Sequence, residues 1–238
     1  MSNITTVLFD LDGTLLPMDQ DTFVKAYFGR LAKKLAPYGY ETEKLIDAIW
    51  EGTASMVRND GSQTNEEVFW ASFATRFGEQ VRQDEPLFDE YYRQEFSSVQ
   101  ASCGFTPRAA EAVAFLKERG IRCVLATNPI FPAVATRARM AWAGLRESDF
   151  DLVTTYENSR HCKPNPDYYK DILAELGLTP EECIMVGNDA TEDLAAAKLG
   201  IPVFLVVDCL INKHQADLSD VPQGDFDDLM TYLRTALA

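Results

Sequence analysis

Two aspartates one residue apart, Asp10 and Asp12, end an apolar, β-prone run and are followed at once by Gly13. In a strand, residues i and i+2 point to the same side, so the two carboxylates converge where the strand ends. Carboxylates held this close repel each other unless a cation or a proton is present. The pattern favours a divalent metal site or a nucleophile beside a general acid, with a plain strand ending in an Asp-Gly turn as the alternative.

Three later segments carry further reactive groups, of which the first is Thr127-Asn128 at the end of a buried-type strand pattern. The second is Lys163, between a predicted strand and a predicted helix, and the third is Asp189, with Asp193 four residues later. Each has a simpler interpretation: a turn hydroxyl for Thr127, a solvated charge for Lys163 and a helix N-cap for Asp189. Ligands of an open parallel α/β sheet bind at the carboxyl ends of its strands, where all of these groups would meet.

The elements that must position these groups alternate between strand and helix from residue 106 onward. Apolar, β-prone runs predict strands over residues 121–126, 152–155, 183–186 and 202–207. Helical periodicity, with proline or capping residues at the start and mostly glycine at the end, predicts helices over residues 107–120, 132–144, 165–177, 189–200 and 225–237. The alternation predicts an α/β fold class, a three-layer α/β/α Rossmann-like core with a parallel sheet.

Residues 17–100 follow a different pattern, with few β-prone runs and strong helical periodicity. Aromatic residues recur every four positions at Phe69, Phe73 and Phe77. Such a stripe is typical of the core of a helical bundle and less so of a ligand site. We therefore predict a helical domain over residues 17–100, inserted into a catalytic core made of residues 1–16 and 101–238.

Composition restricts the classes of partner. The 238 residues include 22 basic and 37 acidic side chains, a formal net charge of −15, which argues against binding to nucleic acid or to an anionic membrane. No apolar run approaches the roughly 18 residues of a membrane span, and no signal-peptide pattern is present. The five cysteines lack C-x-x-C spacing and are expected to be free thiols in the cytoplasm. Cys162, beside Lys163, is either activated by that lysine or buried and inert.

The chain resembles, over its whole length, the phosphatase branch of the haloacid dehalogenase superfamily. The four motifs of that superfamily are matched in order by Asp10-Leu11-Asp12-Gly13-Thr14, by Thr127, by Lys163 and by Asp189 with Asp193. One departure is Asn188, which stands where many relatives carry the first aspartate of the fourth motif. The resemblance implies that residues 17–100 form a helical cap between the first and second motifs, able to close over the site and exclude water.

The resemblance also implies a mechanism at the paired aspartates. Asp10 is expected to attack phosphorus and form an aspartyl-phosphate, while Asp12 protonates the leaving oxygen and then activates water. Hard oxygen ligands favour Mg²⁺, and the ligands implied are the Asp10 carboxylate, the Asp12 backbone carbonyl and Asp189. The substrate is expected to be a small phosphorylated metabolite.

The remaining motif residues are expected to bind the phosphoryl group. The resemblance assigns its oxygens to Thr127, Asn128 and Lys163, and has Asp193 orient Lys163 or a metal-bound water. A phosphomutase of the same superfamily, or a phospho-ligand-binding protein without turnover, is the alternative to a phosphatase. Halide chemistry is disfavoured, because dehalogenases of the superfamily lack an acid at the position of Asp12.

Overall fold

The computed structural model describes residues 3–238 and contains one six-stranded sheet in which all neighbouring strands are parallel. Its strands are β1 (Thr6–Phe9), β2 (Arg122–Leu125), β3 (Leu152–Val153), β4 (Cys183–Gly187), β5 (Val203–Val206) and β6 (Gln223–Gly224). Their order across the sheet is β3-β2-β1-β4-β5-β6, which places β1 between β2 and β4. The predicted α/β class with a parallel sheet is confirmed.

Most of the chain between β1 and residue 102 is helical. It contains α1 (Gln20–Leu35), α2 (Thr42–Val57), α3 (Asn65–Phe77) and α4 (Glu85–Gln94), with 3₁₀ helices at Ala36–Tyr38, Glu79–Asp84 and Phe96–Ser102. The predicted aromatic stripe lies on α3, where the Phe69 and Phe73 rings are 5.6 Å apart and the Phe73 and Phe77 rings 4.9 Å apart. Phe73 is fully buried, so the stripe packs as helical core.

Two antiparallel chain segments connect these helices to the sheet. Met18 and Cys103 form a β-bridge, and the backbone amide of Gly104 donates a 2.7 Å hydrogen bond to the carbonyl of Pro17. The two connections between the helical segment and the rest of the protein therefore lie side by side. The division into a core of residues 1–16 and 101–238 and a cap of residues 17–100 remains our proposal.

From residue 106 onward the helices begin where local sequence signals place them. They are α5 (Pro107–Lys117), α6 (Ala133–Trp142), α7 (Pro166–Leu176) and α8 (Phe226–Ala236). The side chains of Thr106, Asn165 and Asp225 accept hydrogen bonds from backbone amides in the first turns of α5, α7 and α8. Gly177 ends α7 in the left-handed conformation that glycine adopts without strain.

Successive strand residues point into two apolar layers. In β1, Val7 and Phe9 belong to one buried cluster, which includes Leu229 of α8, and Leu8 belongs to the other, which includes Tyr169 of α7. Both faces of the sheet are therefore covered, as parallel sheets require.

Two predicted elements differ from the structure, and one strand was not predicted. Residues 189–200 do not form an α-helix but a turn followed by a 3₁₀ helix at Leu194–Leu199. The carboxylates of Asp189 and Asp193 accept hydrogen bonds from nearby backbone amides, and such local bonds compete with an α-helix. The strand predicted over residues 152–155 is limited to Leu152–Val153, and β6 carries no strand signal in the sequence.

All five cysteines are free thiols, as expected. Among the helices of residues 3–238, none has the length and apolar character needed to span a lipid bilayer.

Candidate active site

A cavity of about 870 Å³ opens at the carboxyl ends of β1, β2 and β4. Six of the seven predicted site residues line it: Asp10, Asp12, Thr127, Asn128, Asp189 and Asp193. The seventh, Lys163, is buried beside it and bonded to Asp10. The four motif segments, which span 184 residues of sequence, thus meet at the central strands of the sheet.

Lys163 lies between two carboxylates. Its Nζ donates hydrogen bonds of 2.9 Å to Asp10 Oδ1 and 2.7 Å to Asp193 Oδ1, and its side chain is 0% exposed. Burial lowers the pKa of Lys163, but the charges of Asp10 and Asp193 outweigh burial and hold that pKa well above its usual value. Lys163 is therefore a permanent cation, and the solvated-charge interpretation is wrong.

The negative charge of the Asp10 carboxylate is only partly balanced by neighbouring positive charge. Burial raises its pKa to about 7; Lys163 lowers the pKa, while Asp193 and Asp12 raise it further. One cation thus does not offset burial and two neighbouring acids. A second cation beside Asp10 would stabilise its ionised form.

Asp12 has two carboxylate oxygens in different surroundings. Its Oδ2 accepts a hydrogen bond from the guanidinium of Arg139, whose side chain is 1% exposed. Its Oδ1 is buried and is the one buried side-chain polar atom of residues 3–238 without a hydrogen-bond partner. Arg139 was not predicted as a site residue.

The turn after β1 joins Asp10 to the fourth motif. The hydroxyl of Thr14 is within hydrogen-bond distance of Asp10 Oδ2 at 3.3 Å and of Asn188 Oδ1 at 3.0 Å. Gly13 has φ of 86°, and a Cβ at this position would clash with the side chain of Asn188. The close approach therefore requires glycine here. Thr14 and Asn188 were also not predicted as site residues.

The two aspartates of the fourth motif have different partners. Asp193 Oδ2 accepts hydrogen bonds of 2.9 Å from the amides of Asn188 and Asp189, while its Oδ1 faces Lys163. Asp189 Oδ1 accepts hydrogen bonds from the amides of Thr191 and Glu192 at 2.7 and 2.9 Å. One oxygen of Asp189 therefore caps a turn, not the α-helix of its simpler interpretation, and Oδ2 is left for another ligand.

Asn128 links the second and third motifs. Its Oδ1 accepts a hydrogen bond of 3.2 Å from the backbone amide of Lys163, and its Nδ2 donates one of 3.0 Å to Glu192. Burial raises the pKa of Glu192 to about 8, against the lowering effect of Lys163. Thr127 is 2% exposed, and its carbonyl accepts hydrogen bonds from two neighbouring hydroxyl groups. Glu192 had no sequence signal beyond its place in the fourth motif.

Cys162 is inert rather than activated. Its side chain is 1% exposed, and burial raises the pKa of the thiol to about 12, with a further contribution from Glu192. The Nδ2 of Asn65 lies 3.3 Å from its Sγ. The thiol is thus part of the packing beneath the site.

The site fits a hard divalent cation held partly by water. No three His, Cys, Asp or Glu side chains of residues 3–238 converge as a complete metal site. Asp10, Asp12, Asn188 and Asp189 line the same cavity, and the side-chain oxygens of Asp10, Asn188 and Asp189, with the Asp12 backbone carbonyl, would be the ligands of such an ion. Few protein ligands and several waters are what Mg²⁺ prefers.

In the metal-free protein, we expect Asp10 and Glu192 to lower stability as pH rises from about 4 to about 8. Their folded-state pKa values, about 7 and about 8, lie above the unfolded values of 3.8 and 4.5. The folded state then binds more protons, so its free energy of unfolding falls with pH and levels off above pH 8. Urea titrations of the wild-type protein and of the double variant Asp10→Asn/Glu192→Gln in EDTA, at a series of pH values, measure this contribution. If the wild type became more stable than the double variant as pH rises, the prediction would be wrong.

Comparisons with known proteins agree with this geometry. A family model described as haloacid dehalogenase-like hydrolase matches residues 4–200. The phosphoglycolate phosphatase of Salmonella typhi is 28% identical over 217 residues, covering 85% of this chain and 81% of that protein. The ribulose-1,5-bisphosphate 5-phosphatase of Halopiger xanaduensis is 26% identical over 245 residues, covering 95% and 99%.

A solved structure shares the fold. The crystal structure of a HAD phosphatase from Thermococcus onnurineus matches with a TM-score of 0.59 at 18% sequence identity, covering 97% of this chain and 98% of that one. The family match extends over most of the chain and includes all four motif segments. The resemblance inferred from the motifs is confirmed, and this chain is a hydrolase that belongs to the haloacid dehalogenase-like family.

Proposed function

We propose that the protein is a Mg²⁺-dependent phosphatase that hydrolyses a small phosphate monoester through an aspartyl-phosphate intermediate. The observation that carries the proposal is the pairing of Asp10 with Lys163 at the end of the central strand, beside an Asp12 oxygen without a partner. The names of the curated relatives support a phosphate ester as substrate.

In the proposed reaction, an oxygen of Asp10 attacks phosphorus, and the bond from phosphorus to the leaving oxygen breaks. Asp12 Oδ1 gives its proton to that oxygen, which departs as an alcohol. Asp12 then takes a proton from water as the water attacks the aspartyl-phosphate, which releases phosphate and restores Asp10. Mg²⁺, when bound, would neutralise charge between the nucleophile and the phosphate dianion.

Three side chains are proposed to hold the phosphoryl oxygens. Thr127 and Asn128 follow β2 at the edge of the cavity, and Lys163 supplies a buried positive charge beside Asp10. Asp193 is proposed to orient Lys163, which it contacts at 2.7 Å. Preorganised donors of this kind stabilise charge that develops in the transition state.

Residues 17–100 are proposed to act as a cap over the reaction centre. The cavity extends from Asp10 to side chains of α1, α2, α3 and α4, so a leaving group bound there would contact the helical segment. Closure would exclude water from the reacting groups. We also propose a cytoplasmic location, which the five free thiols favour.

The helical wall of the cavity is aromatic and acidic. Tyr27, Trp50, Trp70 and Tyr92 contribute rings to this wall, and Phe131 and Tyr156 contribute rings from the rest of the chain. Glu66 forms no ion pair within residues 3–238, and its pKa is raised by burial and by the nearby acids Glu157, Glu85 and Asp89. Arg82 and Arg93 on the same wall are paired with Glu85 and Asp89, and Lys213 lines the cavity from outside the helical segment. A second negative charge on the substrate would be repelled here, so we propose a ring-bearing leaving group without negative charge.

Phosphate release from 4-nitrophenyl phosphate, with and without Mg²⁺, tests the reaction. A screen of monoesters then tests the leaving group, and we expect nucleoside monophosphates to be hydrolysed faster than phosphoglycolate. Transfer of the phosphoryl group back to the substrate, with no free phosphate, would identify a phosphomutase. Binding of phosphate monoesters without turnover would identify a non-catalytic protein and overturn the proposal.

The third protein ligand of the metal is proposed to be Asp189, because a carboxylate suits a hard cation better than an amide does. We expect Asp189→Ala to weaken Mg²⁺ binding about tenfold or more, on the scale of altered metal ligands and their supports. Calorimetric titration of the folded protein with Mg²⁺ measures this without relying on activity. Asn188→Ala is the control, and a larger loss in that variant would assign the ligand to Asn188, which the Thr14 hydroxyl joins to Asp10.

A further inference from the structure

Arg139 is a buried cation without a surface role. It lies on α6, is 0% exposed, and its guanidinium forms an ion pair with Asp12. Within residues 3–238, Asp12 is the only carboxylate in an ion pair with it. Burying a guanidinium lowers the stability of the folded state unless the group is paired and hydrogen-bonded. The position of Arg139 beside Asp12 therefore calls for an explanation.

The other contacts of Arg139 fix the orientation of its guanidinium. Nη2 is 3.3 Å from the hydroxyl of Thr136, and Nε is 3.4 Å from the carbonyl of Ala135. The ring of Phe131, which lines the cavity, lies 4.3 Å from the guanidinium carbon, within the range of a cation–π contact. The guanidinium is therefore held on three sides, and its Nη1 points at Asp12 Oδ2.

We propose that Arg139 is the positioning residue of the acid-base group Asp12, an inference that rests on the proposed phosphatase function. Arg139 donates to Oδ2 and thereby fixes the carboxyl plane, so Oδ1 is the oxygen that exchanges protons. In the acid form, Oδ2 is the carbonyl oxygen and Oδ1 carries the proton. After transfer to the leaving oxygen, both oxygens share the negative charge, and Arg139 stabilises it.

This arrangement explains the orphan oxygen of Asp12. If Arg139 served only to hold the fold together, either carboxylate oxygen could be bonded and nothing would require the second to lack a partner. Instead, one oxygen is held by a buried cation and the other is buried without a donor at the edge of the cavity. A general acid needs one fixed and one available oxygen.

The dependence of rate on the leaving group tests the proposal. Nitrophenolate leaves without a proton, whereas an alkoxide needs one, so loss of a positioned acid harms alkyl esters selectively. For Arg139→Met, we expect kcat/KM for an alkyl phosphate to fall about 100-fold, at the low end of general-acid effects, while that for 4-nitrophenyl phosphate falls less than about threefold. Arg139→Lys keeps the charge and should recover part of the alkyl phosphate activity.

Arg137 provides a matched control on the same helix. It is exposed and paired with Glu147 at 2.9 Å, outside the cavity, so Arg137→Met should leave both substrates unaffected. In an Asp12→Ala background, Arg139→Lys should cause no further loss, because its effect acts through Asp12. If Arg139→Met does not fold, the comparison of Arg139→Lys in the wild-type and Asp12→Ala proteins still tests the proposal.

Equal losses of kcat/KM for both substrates in Arg139→Lys, or a further loss in the Asp12→Ala background, would show a structural role and overturn the proposal. These outcomes are distinct from failure of the proposed function. If the protein is not a phosphatase, wild type itself releases no phosphate from either substrate.

Discussion

Asp10→Asn is expected to abolish phosphatase turnover while the protein remains folded. The amide is nearly the same size as the carboxylate but cannot attack phosphorus, and removal of a nucleophile lowers kcat by about 10⁴-fold or more. Phosphate release from 4-nitrophenyl phosphate at saturating Mg²⁺ measures the loss. Circular dichroism and the urea midpoint establish that the variant is folded.

The folded state of Asp10→Asn should not be less stable than wild type in EDTA at pH 8. At that pH the ionised, buried Asp10 carboxylate disfavours the folded state, because its pKa there is raised to about 7. Full turnover by Asp10→Asn would reject the mechanism. If Asp10→Asn were inactive and also strongly destabilised, the Asp10 carboxylate would stabilise the folded state, which its raised pKa contradicts.

Lys163→Met is expected to have the largest effect on stability. The substitution leaves the two buried carboxylates of Asp10 and Asp193 without their common cation, and loss of one partner from a buried ion pair costs about 3–5 kcal/mol. Urea denaturation at pH 8 in EDTA measures the change in the free energy of unfolding. We also expect loss of phosphate release, because Lys163 is proposed to bind the phosphoryl group.

Lys170→Met is the matched control for Lys163→Met. Lys170 forms an equally short ion pair, 2.7 Å to Asp167, but its side chain is 60% exposed and water screens the pair. The urea midpoint of this variant should barely change. Asp193→Asn should restore part of the stability lost in Lys163→Met, since it removes one uncompensated charge. If Asp193→Asn does not restore stability to Lys163→Met, the uncompensated carboxylates are not the cause of the destabilisation.

Several of the site residues that the sequence predicts directly follow strands. Asp10, Thr127 and Asp189 each come after an apolar run, and parallel strands bring their carboxyl ends to one edge of the sheet. That rule depends only on pattern and topology, so the position of each residue along the chain is enough to predict that they meet.

Arg139 could not be predicted by the same reasoning. Arg137 and Arg139 are two residues apart on α6, and on an α-helix with 3.6 residues per turn such residues point about 200° apart. One is exposed and the other fully buried. Which of them faces Asp12 depends on how α6 is rotated on the sheet, and this rotation is set by tertiary packing. Helical periodicity over residues 189–200 failed for a related reason, since side-chain bonds from Asp189 and Asp193 override it.

The bridge between Met18 and Cys103 has a consequence for how the chain folds. Pairing of β1 with β2 joins Thr6 to Arg122, which closes a loop of roughly 115 residues in an otherwise unfolded chain. If the helices between them fold first and bring Met18 to Cys103, the loop still to be closed shrinks to roughly 30 residues, which reduces its entropic cost by about 1 kcal/mol. The central pair of strands, and with it Asp10 and Asp12, is then expected to assemble after the helical segment, as a late step with a lowered barrier.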